Sequence, residues 1–343
     1  MTCPRPEKDG LFMSSYFAQL TTEMNNPATI AIDEVDTRDM LMLMNDEDQR
    51  VPLSVREEID VIAEAVDLLY HSLKNGGRMF YIGAGSSGRI GVLDASECPP
   101  TYGTDPALVQ AYIAGGDTAI RTAVEGSEDD SEGGARLIRD IGVTADDVVV
   151  GITASGSTPF VLGAVRQARE IGAPTIGVVT NKNSKLSEIC NLCIAPVVGP
   201  EVISGSTRLK SGTAQKLVLN MLTTGVMIKL GKVYNNLMVD MKASNTKLYD
   251  RSIRIVKQVT GVSDVEADEA LKKAGMQVKK AILMLETGVD AEEAAAILEK
   301  HAGRLKEAIC EEKTNLTAQA NKQEIVAGRL LPQAADGAQT GED

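Results

Sequence analysis

Short apolar runs alternate with helical periodicity through the middle of this chain. Residues 78–82, 109–114, 148–152, 175–179 and 193–198 are rich in Val, Ile and other apolar side chains with few polar breaks, the pattern of strands buried on both faces. Helical spacing fills most of the gaps, most clearly over 158–171. The alternation predicts an α/β fold with a mostly parallel sheet flanked by helices. Helical periods over 33–44 and 52–73 precede it, and 212–230 predicts a long apolar helix. From about Asp250 the strands stop. Three short helices are predicted instead, over 265–274, 277–287 and 291–302, punctuated by Gly261, Gly275 and Gly288. The expected organisation is a flexible extension over 1–19, an α/β domain over 20–249 and a three-helix module over 250–310. A C-terminal extension over 311–343 is expected to be disordered at its end.

Two strand–loop–helix junctions carry the candidate chemistry. After the first strand comes Gly83-Ala84-Gly85-Ser86-Ser87-Gly88-Arg89, a Gly-rich loop entering a helix, where backbone N–H groups can meet an anion. Its G-x-G-x-x-G spacing is also a dinucleotide fingerprint, but the acidic residue that a ribose needs, Asp117, comes late. The paired hydroxyls of Ser86 and Ser87 suit a terminal phosphate better. After the 148–152 run comes Thr153-Ala154-Ser155-Gly156-Ser157-Thr158-Pro159, with Pro159 suited to a first helical turn and Ser157 or Thr158 to its N-cap. A third segment, Ser204 to Thr213, adds Arg208 and Lys210, which either serve a phosphate or carboxylate or are solvated charges ahead of a helix. In open α/β sheets such loops converge at the carboxyl ends of the strands.

Composition narrows the function. The 343 residues are 43% hydrophobic, a globular value, with a net charge of −13 and no basic stripe, which argues against nucleic acid. An anionic ligand must then be caught by local donors and not by the global field. No apolar run is long enough to span a membrane, and the N-terminus lacks the apolar core of a signal peptide, so a cytoplasmic protein is expected. The cysteines, Cys3, Cys98, Cys190, Cys193 and Cys310, are scattered and read as reduced thiols. Cys190 and Cys193 form a lone C-x-x-C, and no metal site is expected. With only His71 and His301, Ser-His-Asp chemistry has little to draw on, and acid–base work falls to carboxylates. Glu97 precedes Pro99-Pro100, a pair expected to stop the helix opened by the first loop, and Glu128 lies in the acidic run Glu125 to Asp130. As surface residues, the first would be a helix-end glutamate and the second part of a solvated face.

Longer stretches closely resemble the N-acetylmuramic acid 6-phosphate etherases, lyases of the sugar isomerase (SIS) fold. They are Tyr81 to Arg89, Leu93 to Thr101, Ala123 to Asp129, Val198 to Val202, Gly205 to Lys216 and Asn236 to Asp240. The resemblance covers roughly 20–309. It implies a parallel-sheet sandwich of SIS type with a ubiquitin-associated-like three-helix module, a homodimer, no cofactor, and a sugar phosphate as ligand. It also implies Glu97 as proton donor, Glu128 as second catalytic carboxylate, and sugar-phosphate contacts at Ser86, Ser87, Ser155 and Ser157. Thr158, Arg208 and Lys210 complete the candidate binding set. One departure stands out: the family usually has Arg where this chain has Ser157. The alternatives are a non-catalytic sugar-phosphate sensor like glucokinase regulatory protein, a sugar-phosphate isomerase and, last, a nicotinamide dehydrogenase.

Overall fold

The computed structural model describes residues 20–241 and 245–329. The expected extension over 1–19 and the tail beyond Leu331 lie outside the described residues. The chain divides into two units, Met1–Leu230 and Gly231–Asp343.

In the first unit, β1 (Met79–Gly83), β2 (Val109–Ile113), β3 (Val148–Ile152), β4 (Thr175–Val178) and β5 (Leu192–Ile194) form one parallel sheet in the order β2-β1-β3-β4-β5. Side chains alternate between two cores. Met79, Tyr81, Val148 and Val150 enter one cluster, and Phe80, Ile82 and Val149 the other. Helices α1 (Thr37–Asp48), α2 (Arg50–Arg56), α3 (Ile59–Lys74), α4 (Gly85–Tyr102), α5 (Gly116–Arg121), α6 (Ser131–Asp140), α7 (Pro159–Ile171), α8 (Lys185–Ile189) and α9 (Lys210–Lys229) surround it. Ile62 and Leu69 of α3 and Val218 and Leu222 of α9 cover the first face, while Ile138 of α6 and Val161 and Val165 of α7 cover the second. Burial on both faces is why the strands read as continuous apolar runs.

The strand order reverses between β1 and β3. From β1 the chain crosses to one edge, and from β3 it proceeds to the other. The crevice at such a switch point is where open α/β sheets bind ligands. It lies at the ends of the two strands that carry the hydroxyl-rich loops.

Helix α4 is not stopped by Pro99 and Pro100, as the sequence suggested. It runs through both to Tyr102 and ends at Gly103, whose φ of +64° is left-handed and whose N–H donates to the Pro99 carbonyl at 2.9 Å. The prolines remove the N–H bonds to the Ala95 and Ser96 carbonyls, but the chain stays helical to Tyr102. Beneath the first loop, Tyr81 Oη donates to Asp94 Oδ2 (2.9 Å) and Asn220 Nδ2 to Asp94 Oδ1 (2.7 Å), tying β1, α4 and α9 together. Burial pushes the Asp94 carboxyl up, against the hydrogen bonds from Tyr81, Thr223 and Asn220.

The second unit opens with a hairpin, β6 (Val233–Tyr234) and β7 (Leu237–Met238), before α10 (Thr246–Thr260), α11 (Asp264–Lys273), α12 (Val278–Thr287), α13 (Ala291–Lys300) and α14 (Leu305–Arg329). Its core includes Val239, Val256, Leu271, Ile282 and Leu305. Tyr234, Leu237 and Met238 of the hairpin pack on that core, so this unit starts ahead of its first helix, whereas the helical pattern alone placed the change near Asp250. Among the described residues no helix is long and apolar enough to cross a membrane.

Candidate active site

A cavity of about 590 Å³ opens where the loops after β1 and β3 meet. Close backbone packing builds its first wall. A Cβ on Gly83 would fall 2.7 Å from Gly88 Cα, and one on Gly88 would fall 2.6 Å from Ile113 Cγ1. Glycine at both positions therefore lets the start of α4 lie directly on β1 and β2. Gly85, at φ +52°, turns the chain into the helix. Ser86 and Ser87 line the cavity, and Ser87 Oγ donates to the buried Gln215 Oε1 of α9 at 2.9 Å.

The second wall is the loop 153–158. Ser155 Oγ accepts from both the Ser157 N–H (3.2 Å) and Ser157 Oγ (3.0 Å), which leaves its own proton to donate. Thr158 is the N-cap residue of α7, but its hydroxyl bonds Thr153 Oγ1 at 2.7 Å and makes no cap bond. Thr153, Ser155 and Thr158 line the cavity. Ser157 does not. It is buried behind Ser155 and acts on the cavity only through it.

The third wall combines the loop 123–129 with Glu23, Gly205 and Thr207. Gly126, at φ +73°, turns the chain into a short 3-10 helix, Ser127–Asp129, that carries Glu128. Glu128 Oε1 lies 3.2 Å from where a Cβ on Gly85 would be, so the carboxylate stands over the first loop. Arg89 Nε donates to the Ile120 carbonyl at 3.0 Å and ties the chain leading to Glu128 back to α4. Arg89 is the cavity's one cationic lining residue among those described, against the carboxylates Glu23, Glu125, Glu128 and Asp129.

Besides Ser157, three sequence candidates lie outside the cavity lining. Lys210, expected to hold an anionic ligand, is fully buried and its Nζ binds Glu47 Oε2 at 2.5 Å. The helix end beside it is also taken: the N–H groups of Lys210 and Ser211 both donate to the Glu201 carboxylate at 2.9 Å. Arg208 is exposed and outside the cavity lining. Glu97 is exposed on α4, about 18 Å along the helix axis from Gly85 at 1.5 Å per residue, and does not line this chain's cavity. No motif surrounds Glu23 to mark it in the sequence, because what brings it to the cavity is the long-range attachment of its segment to residues 204 and 205.

Known proteins match the chain along most of its length. The N-terminal SIS domain of glucokinase regulatory protein matches residues 61–169, the SIS domain matches 140–225, and the C-terminal lid domain of glucokinase regulatory protein matches 235–281. The N-acetylmuramic acid 6-phosphate etherases of Yersinia pestis (strain Pestoides F) and Yersinia pseudotuberculosis (serotype O:1b, strain IP 31758) are each 54% identical over 290 residues, spanning 84% of this chain and 98% of the relative. A solved phosphoheptose isomerase from Francisella tularensis is 22% identical with a TM-score of 0.45, over 57% of this chain and all of that one.

Proposed function

The chain belongs to the N-acetylmuramic acid 6-phosphate etherase family, lyases acting on a carbon–oxygen bond, and from that premise we propose how its residues carry the reaction. The observation that supports the assignment is the meeting of both hydroxyl loops and Glu128 in one cavity at the topological switch point.

In this reading the 6-phosphate sits on the loop 153–158, where Ser155 and Thr158 donate hydrogen bonds beside the N-terminus of α7. The carboxylates line the rest of the cavity, where they suit sugar hydroxyls and repel phosphate. Ser86 and Ser87 face the sugar. Once the sugar opens, its C1 aldehyde acidifies the C2 proton. Glu128 removes that proton as base, Glu97 protonates the lactyl oxygen leaving C3, and water adds to the unsaturated aldehyde. The products are N-acetylglucosamine 6-phosphate and D-lactate, a step in using cell-wall sugar. Proton transfer by a positioned carboxyl contributes about 10²–10⁴ in rate, provided the two carboxyls are held in opposite protonation states.

Glu97 serves such a site if a second copy supplies it. Leu93, on the same face of α4 one turn before Glu97, is exposed, as is Met221 of α9, which packs beside α4. Exposed Leu93 beside Glu97, together with the exposed Met221 on the neighbouring helix, supports a homodimer with Glu97 reaching the partner's cavity. Among the described residues the free cysteines Cys98, Cys190, Cys193 and Cys310 fit a reducing cytoplasm.

The test is lactate release from the 6-phosphorylated substrate in H₂¹⁸O. Elimination places solvent oxygen on the sugar at C3 and leaves the ether oxygen in lactate, while attack at the lactyl carbon does the reverse. Label in lactate would overturn the mechanism, and absence of lactate would favour a sugar-phosphate sensor of the glucokinase regulatory type.

A further inference from the structure

We propose that Glu23 is a sugar-binding residue of this cavity, its carboxylate accepting a hydrogen bond from a hydroxyl or amide N–H of the bound sugar. The inference rests on the sugar-phosphate reading above and extends it to a residue outside every motif.

Residues 20–30 form no strand and only two 3-10 turns, Thr21–Glu23 and Pro27–Thr29. They are nevertheless fixed at many points. Gly205 N–H donates to the Thr22 carbonyl (3.0 Å), Asn26 Nδ2 to that of Pro200 (3.2 Å), and Thr29 Oγ1 to that of Val202 (2.8 Å). Ser204 Oγ donates to the backbone carbonyl of Glu23 itself at 3.1 Å. Thr21 donates twice to Asn181 Oδ1, from N–H (2.9 Å) and Oγ1 (2.7 Å). Asn181 Nδ2 in turn donates to the Ala154 carbonyl at 3.0 Å. One asparagine thus locks the segment to the loop that would hold the phosphate.

The backbone of Glu23 is held, and its side chain is not. The carboxylate is exposed, lines the cavity, and has no hydrogen bond or ion pair among the described residues; Oε2 lies 3.2 Å from where a Cβ on Gly205 would be. Beside a phosphate-holding loop an idle carboxylate is unfavourable, because like charges repel. It becomes favourable when a ligand brings donors, since an ionised carboxylate only accepts hydrogen bonds and a sugar offers hydroxyls and an amide N–H. Glu128 stands over the first loop and Glu23 beside Gly205, so the two carboxylates meet a ligand from different segments.

Two probes separate this role from a structural one: N-acetylglucosamine 6-phosphate and inorganic phosphate. Glu23→Ala is expected to weaken the sugar phosphate about tenfold or more, the size of a lost hydrogen bond to a charged group, while inorganic phosphate, relieved of a repelling charge, binds as before or more tightly. Glu23→Gln, which keeps an acceptor oxygen, should recover part of the loss. In turnover the change should fall on KM, with kcat little altered. Thermal melts follow the fold, and Thr21→Ala, which loosens the clamp but keeps the carboxylate, is the structural control. Unchanged sugar affinity in Glu23→Ala overturns the proposal, and so does equal weakening of phosphate and sugar. Wild-type protein that binds N-acetylglucosamine 6-phosphate yet releases no lactate would overturn the etherase chemistry and leave this comparison standing.

Discussion

Lys210 and Glu47 form a buried ion pair whose side chains are 0% and 4% exposed. Removing one partner of such a pair strands the other charge away from water. Lys210→Met is therefore expected to cost about 3–5 kcal/mol in urea unfolding, and adding Glu47→Leu should return much of it. Burial pushes the Glu47 carboxyl up, but hydrogen bonds from Lys210 and Asn26 and the charges of Lys210 and Arg50 outweigh it and hold the group below the ordinary carboxylate range. A depressed native value means stability that is present above the unfolded value, about 4.3, and is lost as pH falls through the native one. Acid unfolding of Glu47→Gln should accordingly fall less steeply with pH than that of wild type. None of this was legible around Lys210, because its partner lies 163 residues away and the local sequence shows only a cation among hydroxyls. Glu128 stood out only through the family resemblance, since the residues around it show an acidic run that reads equally as a solvated face, and its closeness to the first loop is made by the fold. Glu128→Gln keeps the shape and loses the proton acceptor, so kcat should fall by about 10²–10⁴ with sugar-phosphate binding retained. Normal turnover in that variant would remove Glu128 from the mechanism.

Helix α4 holds the first loop, one wall of the cavity, and the exposed Glu97. Its start depends on Gly88, where even one methyl would strike Ile113 on β2. Gly88→Ala should destabilise the unit by about 1–3 kcal/mol, as overpacking does, and weaken the sugar phosphate by shifting Ser86 and Ser87. Thermal melts and titration with N-acetylglucosamine 6-phosphate read the two effects separately, and a silent Gly88→Ala would mean the helix start is not close-packed. The strands and their glycine loops could be read because their signals are local: an apolar run, then glycines, then helical spacing. The end of α4 could not. Pro99-Pro100 looks like a stop, and only the left-handed Gly103 closes the last turn.

For the whole molecule the difficulty is charge. A chain of net charge −13 must bind a phosphorylated sugar acid in a cavity with several carboxylates and a single lining cation among the described residues. In the proposed site, donors on the 153–158 loop have to offset that field, and they matter more because the chain has Ser157 where the family resemblance leads one to expect an arginine. The second deficit is the acid. Within one chain Glu128 stands in the cavity and Glu97 does not. If the working site is shared across a two-fold axis, each cavity pairs Glu128 of one subunit with Glu97 of the other. Co-expressed Glu97→Gln and Glu128→Gln chains would then form mixed dimers in which one cavity carries both substitutions and the other carries none. Random pairing should restore about a quarter of wild-type activity from two subunits that are each nearly inactive alone. If each chain supplies both carboxylates to its own cavity, every site in the mixture lacks one of them and no activity returns.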